Sequence, residues 1–249
     1  MDLRKRLDPA ERYGLRLTLF AFAVILVAVP FGFLTEQVVR SGPLLRIDQG
    51  VADTVHEWAL RQPDVFVTFL NVVSWLGKPP FLIAIAGLSA AYVLWHDRRR
   101  LCVFIVTTAT LGGLIDTVVK VLVNRPRPEF ETALAHALGK SFPSGHAMSS
   151  TVVYGTLLLV FLPVVPRRAR RYVAGATVAL VLLIAASRIA LGVHFLSDVL
   201  GGIVLGLAWL AASVAAFRVW RTERGRRPAP VLSGLEPEAA KDLKTSAAS

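Results

Sequence analysis

Long apolar runs separated by short clusters of arginine constrain this chain more than any other feature. A bilayer core of about 30 Å takes about 20 mostly apolar residues per helical span. Runs that meet this need occupy residues 17–34, about 79–95, 101 to about 123, 145 to about 165, 172 to about 190 and about 195–217. Of the 249 residues, 54% are hydrophobic and only 18% charged, and the mean hydropathy is +0.57. That balance excludes an ordinary soluble domain. The expected fold is all-α: an integral membrane bundle of six transmembrane helices, with a short interfacial helix on the external side.

Three units follow from this reading: a cytoplasmic N-terminal segment at 1–16, a membrane domain at 17–220, and a basic, disordered cytoplasmic tail at 221–249. The first apolar run is long, contains Pro30 and is followed by no small-residue cleavage site. It therefore reads as an uncleaved span rather than a signal peptide. Between 35 and 64, Ile47, Val51, Val55 and Trp58 share one helical face, with Asp48, Asp53 and Glu57 elsewhere, which predicts the interfacial helix. Pro79 and Pro80 suit a helix's first turn, so the second span begins there and 65–76 lies near the interface. Cys102 stands alone in an apolar run and forms no intramolecular disulfide.

The net charge of +11 does not indicate nucleic acid, because the basic residues cluster beside the apolar runs. Arg4, Lys5 and Arg6, the arginines at 98–100, the four between 167 and 171, and those after 217 fall on one side of a six-span chain. By the positive-inside rule that side, with both termini, is cytoplasmic. Three polar clusters then gather at the external ends of spans three to six. They are Lys120 with Arg127-Pro128, then Pro143-Ser144-Gly145-His146, then Ser187-Arg188 with His194 and Asp198.

These residue types suit a phosphate. Phosphoryl transfer needs cations on the non-bridging oxygens, an in-line nucleophile and a proton for the leaving oxygen. Lys120, Arg127 and Arg188 supply the cations, the arginines with a fork that matches phosphate oxygens. Ser144 and Gly145 sit where a helix begins, so free backbone N–H groups point toward an anion, with Ser144 as N-cap or as hydroxyl donor. Asp198 lies one turn after His194 and can hold one ring nitrogen, leaving the other as nucleophile or base. Asp116, four residues before Lys120, reads as its counter-ion. Arg125, Glu129, Glu131, His136 and Lys140 read as solvated loop residues, and His56 and His96 as outside the chemistry. Gly201, Gly202 and Gly206 read as close-packing positions.

Taken in order, the three clusters resemble the three-part signature of the type 2 phosphatidic acid phosphatase superfamily, with no departure at any motif position. The resemblance implies that His194 attacks phosphorus to form a phosphohistidine, that Asp198 orients its imidazole, and that His146 protonates the leaving group. It further implies that Lys120, Arg127, Ser144, Gly145 and Arg188 cradle the phosphoryl oxygens, and that no metal or other cofactor is needed. The implied partner is a lipid phosphate drawn from the bilayer: undecaprenyl diphosphate, phosphatidic acid or phosphatidylglycerophosphate. A lipid phosphotransferase using an acceptor other than water shares the same residues, and a non-catalytic lipid-phosphate transporter is the alternative from another class. Substrate and oligomeric state are not legible in the sequence.

Overall fold

The computed structural model describes residues 29–132, 134–223, 234–240 and 243. The expected N-terminal segment and most of the first span lie outside them. Residues 29–39 are helical, and a turn through Ser41 leads into α1 (Leu44–Leu60). There follow α2 (Asp64–Trp75), α3 (Pro79–Trp95), α4 (Arg99–Val123), α5 (Gly145–Phe161), α6 (Arg170–Ala190) and α7 (Leu196–Glu223). A 3₁₀ turn, Pro237–Ala240, belongs to the tail. No strand occurs among the described residues.

Local chemistry sets these boundaries. Asp64 in the first turn of α2 favours its positive end. Pro79 and Pro80 open α3, where their missing N–H groups cost nothing. Asn124, in the left-handed region at φ 53°, closes α4 with its N–H on the Lys120 carbonyl at 3.0 Å. By length and composition α4, α6 and α7 are each able to cross a membrane, and α2 with α3, bent by 46° at their junction, qualify together as one broken span. A helix does begin at Pro79, where the second span was expected to start, and 65–76 forms α2 on the other side of the bend. α5, at 17 residues, is apolar but shorter.

Close approach of α7 to α5 brings the second and third polar clusters together. A Cβ at Gly202 would lie 2.6 Å from the Ser144 carbonyl oxygen, and one at Gly206 would lie 3.0 Å from that of Met148. Glycine is required at both, as the packing reading expects.

In α1, Asp48, Ala52, His56 and Ala59 are buried, while Ile47 and Trp58 of the apolar face are exposed and Val51 and Val55 are half-buried. Next to lipid an apolar side chain gains by facing outward, and a polar one is tolerated only where it finds partners inside. Part of the tail packs on the helices. Leu235, Ala239 and Leu243 are buried against α3, α4 and α5. The Leu235 N–H donates to the Leu159 carbonyl at 3.1 Å, and the Tyr92 hydroxyl to that of Leu243 at 2.8 Å.

Candidate active site

The first cluster begins in the last turn of α4. Lys120 donates from Nζ to Asp116 Oδ1 at 2.7 Å and also to the Pro143 carbonyl, which ties the first cluster to the second. This pairing agrees with the reading of Asp116 as counter-ion. Beyond Asn124 the chain runs Arg125-Pro126-Arg127-Pro128 without helix, since proline supplies no N–H and disfavours α geometry before it. The two guanidiniums part company: Arg127 lines a cavity and Arg125 is buried behind it.

Arg127 is held by carbonyls. Its Nη1 donates to Val193 O at 2.7 Å, Nε to Gly139 O at 3.1 Å and Nη2 to Leu138 O at 3.1 Å. The same Nη1 lies 3.0 Å from His194 Nε2. A guanidinium can only donate, so Nε2 is the acceptor and carries the lone pair. The ring proton is then on Nδ1, which faces Asp198 Oδ2 at 3.3 Å. Burial is the first cause that lowers the His194 pKa, to about 4, with Arg127 and Arg188 adding to it and the Asp198 carboxylate opposing it. His194 sits in the connection between α6 and α7 and is neutral near pH 7 with its basic nitrogen directed into the cavity.

Asp198 is fixed from several sides. Oδ2 also accepts from the Phe195 N–H at 2.9 Å and from the Ser141 hydroxyl, and Oδ1 accepts from Arg125 Nη1 at 2.6 Å. The Ser144 N–H donates to the Asp198 carbonyl at 2.8 Å, so the loop before α5 is pinned to the first turn of α7. Arg188, in the last turn of α6, donates from Nη1 to the Ser74 hydroxyl of α2.

The cavity, of about 810 Å³, is lined by Lys120, Arg127, Gly145, His146, Arg188 and His194, together with Lys78, Asp116 and parts of α2. Six of the eight expected site residues therefore share one wall. Ser144 and Asp198 are fully buried behind it. Ser144 occupies the N-cap position without a side-chain cap bond. Its Oγ, with His146 Nε2 and Arg188 Nε, is buried without a hydrogen-bond partner among the described residues. Buried polar atoms in folded proteins are nearly always paired, and an anion held by the three cations would supply acceptors for two donors of this set. A Cβ at Gly145 would come 3.0 Å from Asp116 Oδ2 and 3.3 Å from Lys120 Nζ, tighter than ordinary contact, so this position lies directly against the ion pair. Among the described residues no three His, Cys, Asp or Glu side chains are grouped as a metal-ligand set.

Several contributors escaped the sequence reading. Arg125 is not a solvated loop residue: it is buried, bound to Asp198 and Asp48, and stacked 4.1 Å over the Phe195 ring. Glu129, Glu131, His136 and Lys140 are exposed as expected, though His136 reaches the cavity rim. His56 is buried, stacked 4.0 Å from Phe130, with Nε2 2.9 Å from the Thr132 carbonyl, and so supports the loop that carries Arg127. The visible signal for α1 was the spacing of Asp48, Ala52, His56 and Ala59, a face of small and polar residues.

Comparison with known proteins gives a consistent set. Residues 100–222 match the PAP2 superfamily. Phosphatidylglycerophosphatase B of Bacillus subtilis is 35% identical over 145 residues, which is 57% of this chain and 67% of that protein. Lipid A 1-phosphatase of Rhizobium etli is 30% identical over 135 residues, 51% of this chain and 52% of the relative. The crystal structure of a transmembrane PAP2 type phosphatidylglycerolphosphate phosphatase from Bacillus subtilis superposes with a TM-score of 0.67 at 24% identity, covering 85% of this chain and 98% of that one. Aquifex aeolicus LpxE superposes at 0.53 and 18% identity, over 68% and 94%. Both structural likenesses speak for the fold.

Proposed function

The chain belongs to the PAP2 superfamily, and from that premise we propose that it is a multi-pass membrane phosphatase that removes phosphate from a lipid phosphomonoester or diphosphate through a phosphohistidine on His194. One observation carries the reading: a buried imidazole whose lone-pair nitrogen enters a cavity lined by Lys120, Arg127 and Arg188, with its other nitrogen on Asp198. Phosphatidylglycerophosphate is the first candidate substrate, on the strength of the 35% identical relative, followed by phosphatidic acid and undecaprenyl diphosphate.

Lipid phosphate enters, and the three cations hold its non-bridging oxygens; Arg127 exchanges its bond to Nε2 for phosphoryl oxygens. The Nε2 lone pair forms the N–P bond while the bond from phosphorus to the leaving oxygen breaks. His146 gives that oxygen a proton, and Asp198 stabilises the charge that develops on the imidazole. Water then attacks phosphorus, passing a proton to His146, and the N–P bond breaks to return His194 and inorganic phosphate. Charge neutralisation comes from side chains throughout, so the reaction proceeds without metal.

Six spans, a cytoplasmic tail and an external site complete the proposal. They are supported by the gathering of all three motifs at one end of the helices and of the arginine clusters at the other. The test is phosphate release by purified protein from phosphatidylglycerophosphate, phosphatidic acid and undecaprenyl diphosphate in micelles containing EDTA, with His194→Ala alongside. Release that is lost in His194→Ala, with ³²P-labelled protein trapped from the wild type, supports the reading. Release that needs added divalent metal, or that survives in His194→Ala, overturns it.

A further inference from the structure

The residues that hold Asp198 do not end at the motif. Arg125 Nη1 donates to Asp198 Oδ1 at 2.6 Å and to Ser197 Oγ at 2.7 Å, while its Nη2 donates to Asp48 Oδ2 at 2.8 Å. Asp48 in turn accepts the Ser197 N–H at 2.9 Å on Oδ1 and the Ser197 hydroxyl on Oδ2. One guanidinium is thus shared by two fully buried carboxylates, and the second of them grips the first turn of α7, the turn that carries Asp198. Asp48 belongs to α1 and lies outside the segment that matches the family.

The geometry of this chain has a direct consequence for the nucleophile. Asp198 presents Oδ2 to His194 Nδ1 only while its carboxylate plane is fixed. Ser141 and the Phe195 N–H hold Oδ2, but among the described residues Oδ1 is held by the Arg125 side chain alone. Arg125 has three anchors of its own, the Phe195 ring, the Ser197 hydroxyl and Asp48. With Asp48 neutral, Arg125 loses its second carboxylate, and Ser197 loses the anion that ties α7 to α1. A salt bridge of this kind is weak evidence for stability, since the cost of desolvating the charges offsets much of their attraction. Fixing a catalytic group within a fraction of an ångström is a better account of a three-charge relay.

We propose that Asp48, acting through Arg125, is a positioning residue that sets the orientation of Asp198 and thereby of the His194 nucleophile. The inference rests on His194 being the nucleophile, and the experiment separates the two. Phosphate release from phosphatidic acid and phosphatidylglycerophosphate in mixed micelles is measured for the wild type, Asp48→Asn, Asp198→Asn, the double variant and His194→Ala, with thermal unfolding of each. Asp48→Asn is expected to lower kcat about tenfold with KM within about twofold, because the lost interaction acts on the transition state and not on substrate binding. In the double variant the losses should not add: with Asp198 already neutralised, Asp48→Asn should cost less than about twofold more. Arg125→Lys, which keeps the charge but not the fork, should reproduce the kcat loss.

A wild-type kcat in folded Asp48→Asn, or losses that add fully in the double variant, would overturn the inference while leaving the phosphatase reading intact. So would failure of both Asp48→Asn and Arg125→Lys to fold, which would assign the relay to stability. Activity surviving in His194→Ala is the separate outcome that removes the reading beneath it.

Discussion

Arg125 and Arg127 stand two residues apart, and the non-helical chain between them sends one guanidinium behind the His194–Asp198 pair and the other in front of it. In front, Arg127 touches the lone pair of His194, and this contact together with burial makes the ring harder to protonate. A folded-state pKa near 4, below the usual 6.5, means that His194 stays neutral as pH falls through 6 and gains its proton only near 4, where nucleophilicity is lost. The check is NMR of protein labelled with ¹³C at histidine Cε1, the His194 signal being assigned by its disappearance in His194→Gln. It should titrate near pH 4, and a midpoint near 6.5 would contradict the burial described. That His194, Asp198 and His146 come together was legible because each sits in a dense motif beside an apolar run. Arg125 was not, since a basic residue in a Pro-rich loop reads as solvated until a buried carboxylate from another helix is placed against it. Ser74 and Ser141 were hidden for a related reason: single serines carry no pattern, and only packing shows which hydroxyl meets Arg188 or Asp198.

At the scale of elements, glycine decides how closely the site's two halves approach. Along α7 the residues Gly201, Gly202 and Gly206 let Phe142, Ser144 and Met148 come within the space of a methyl group. Gly202→Ala would press a Cβ to 2.6 Å from the Ser144 carbonyl oxygen, a backbone atom that cannot swing aside. Overpacking of this kind costs about 1–3 kcal/mol, and here it also moves the loop that Asp198 holds. Gly87, in α3, has nothing within 4 Å of its would-be Cβ, so Gly87→Ala should stabilise by about 0.5–1 kcal/mol through the entropy of the unfolded chain. Thermal unfolding in micelles should therefore move in opposite directions for the two variants, and phosphate release should fall only in Gly202→Ala. Equal shifts would mean that α5 and α7 are not in tight contact. The α7 glycines were readable in advance as packing positions. The inward face of α1 was not, because Asp48 reads like Asp53 and Glu57 on an amphipathic helix, and only packing shows that it turns in to Arg125 while Ile47 and Trp58 stay outside.

Over the whole molecule, the helices sort their charges by end. The start of α3, the end of α4, the start of α5, the end of α6 and the start of α7 meet at the cavity, and the opposite ends carry Arg98 to Arg100 and Arg167 to Arg171. The same far end receives the tail. Leu235, Ala239 and Leu243 recur every four residues, a pattern too short to notice within a basic, Pro- and Ala-rich stretch, yet all three are buried against apolar residues of α3, α4 and α5. Burying two leucines there contributes up to about 3–6 kcal/mol by area. This polarity makes the sidedness of the enzyme measurable at two points. Leu138 is 96% exposed at the cavity end, and Arg168 is exposed at the other. With Cys102→Ser as background, Leu138→Cys should react with a membrane-impermeant maleimide in right-side-out vesicles, whereas Arg168→Cys should react only after permeabilisation. If the positive-inside rule governs this chain, the phosphate is released outside the cell and the lipid substrate must reach the outer leaflet before hydrolysis. The reverse labelling pattern would place the site in the cytoplasm, where the same three motifs would act on lipids at the point of their synthesis, and the external assignment would have to be abandoned.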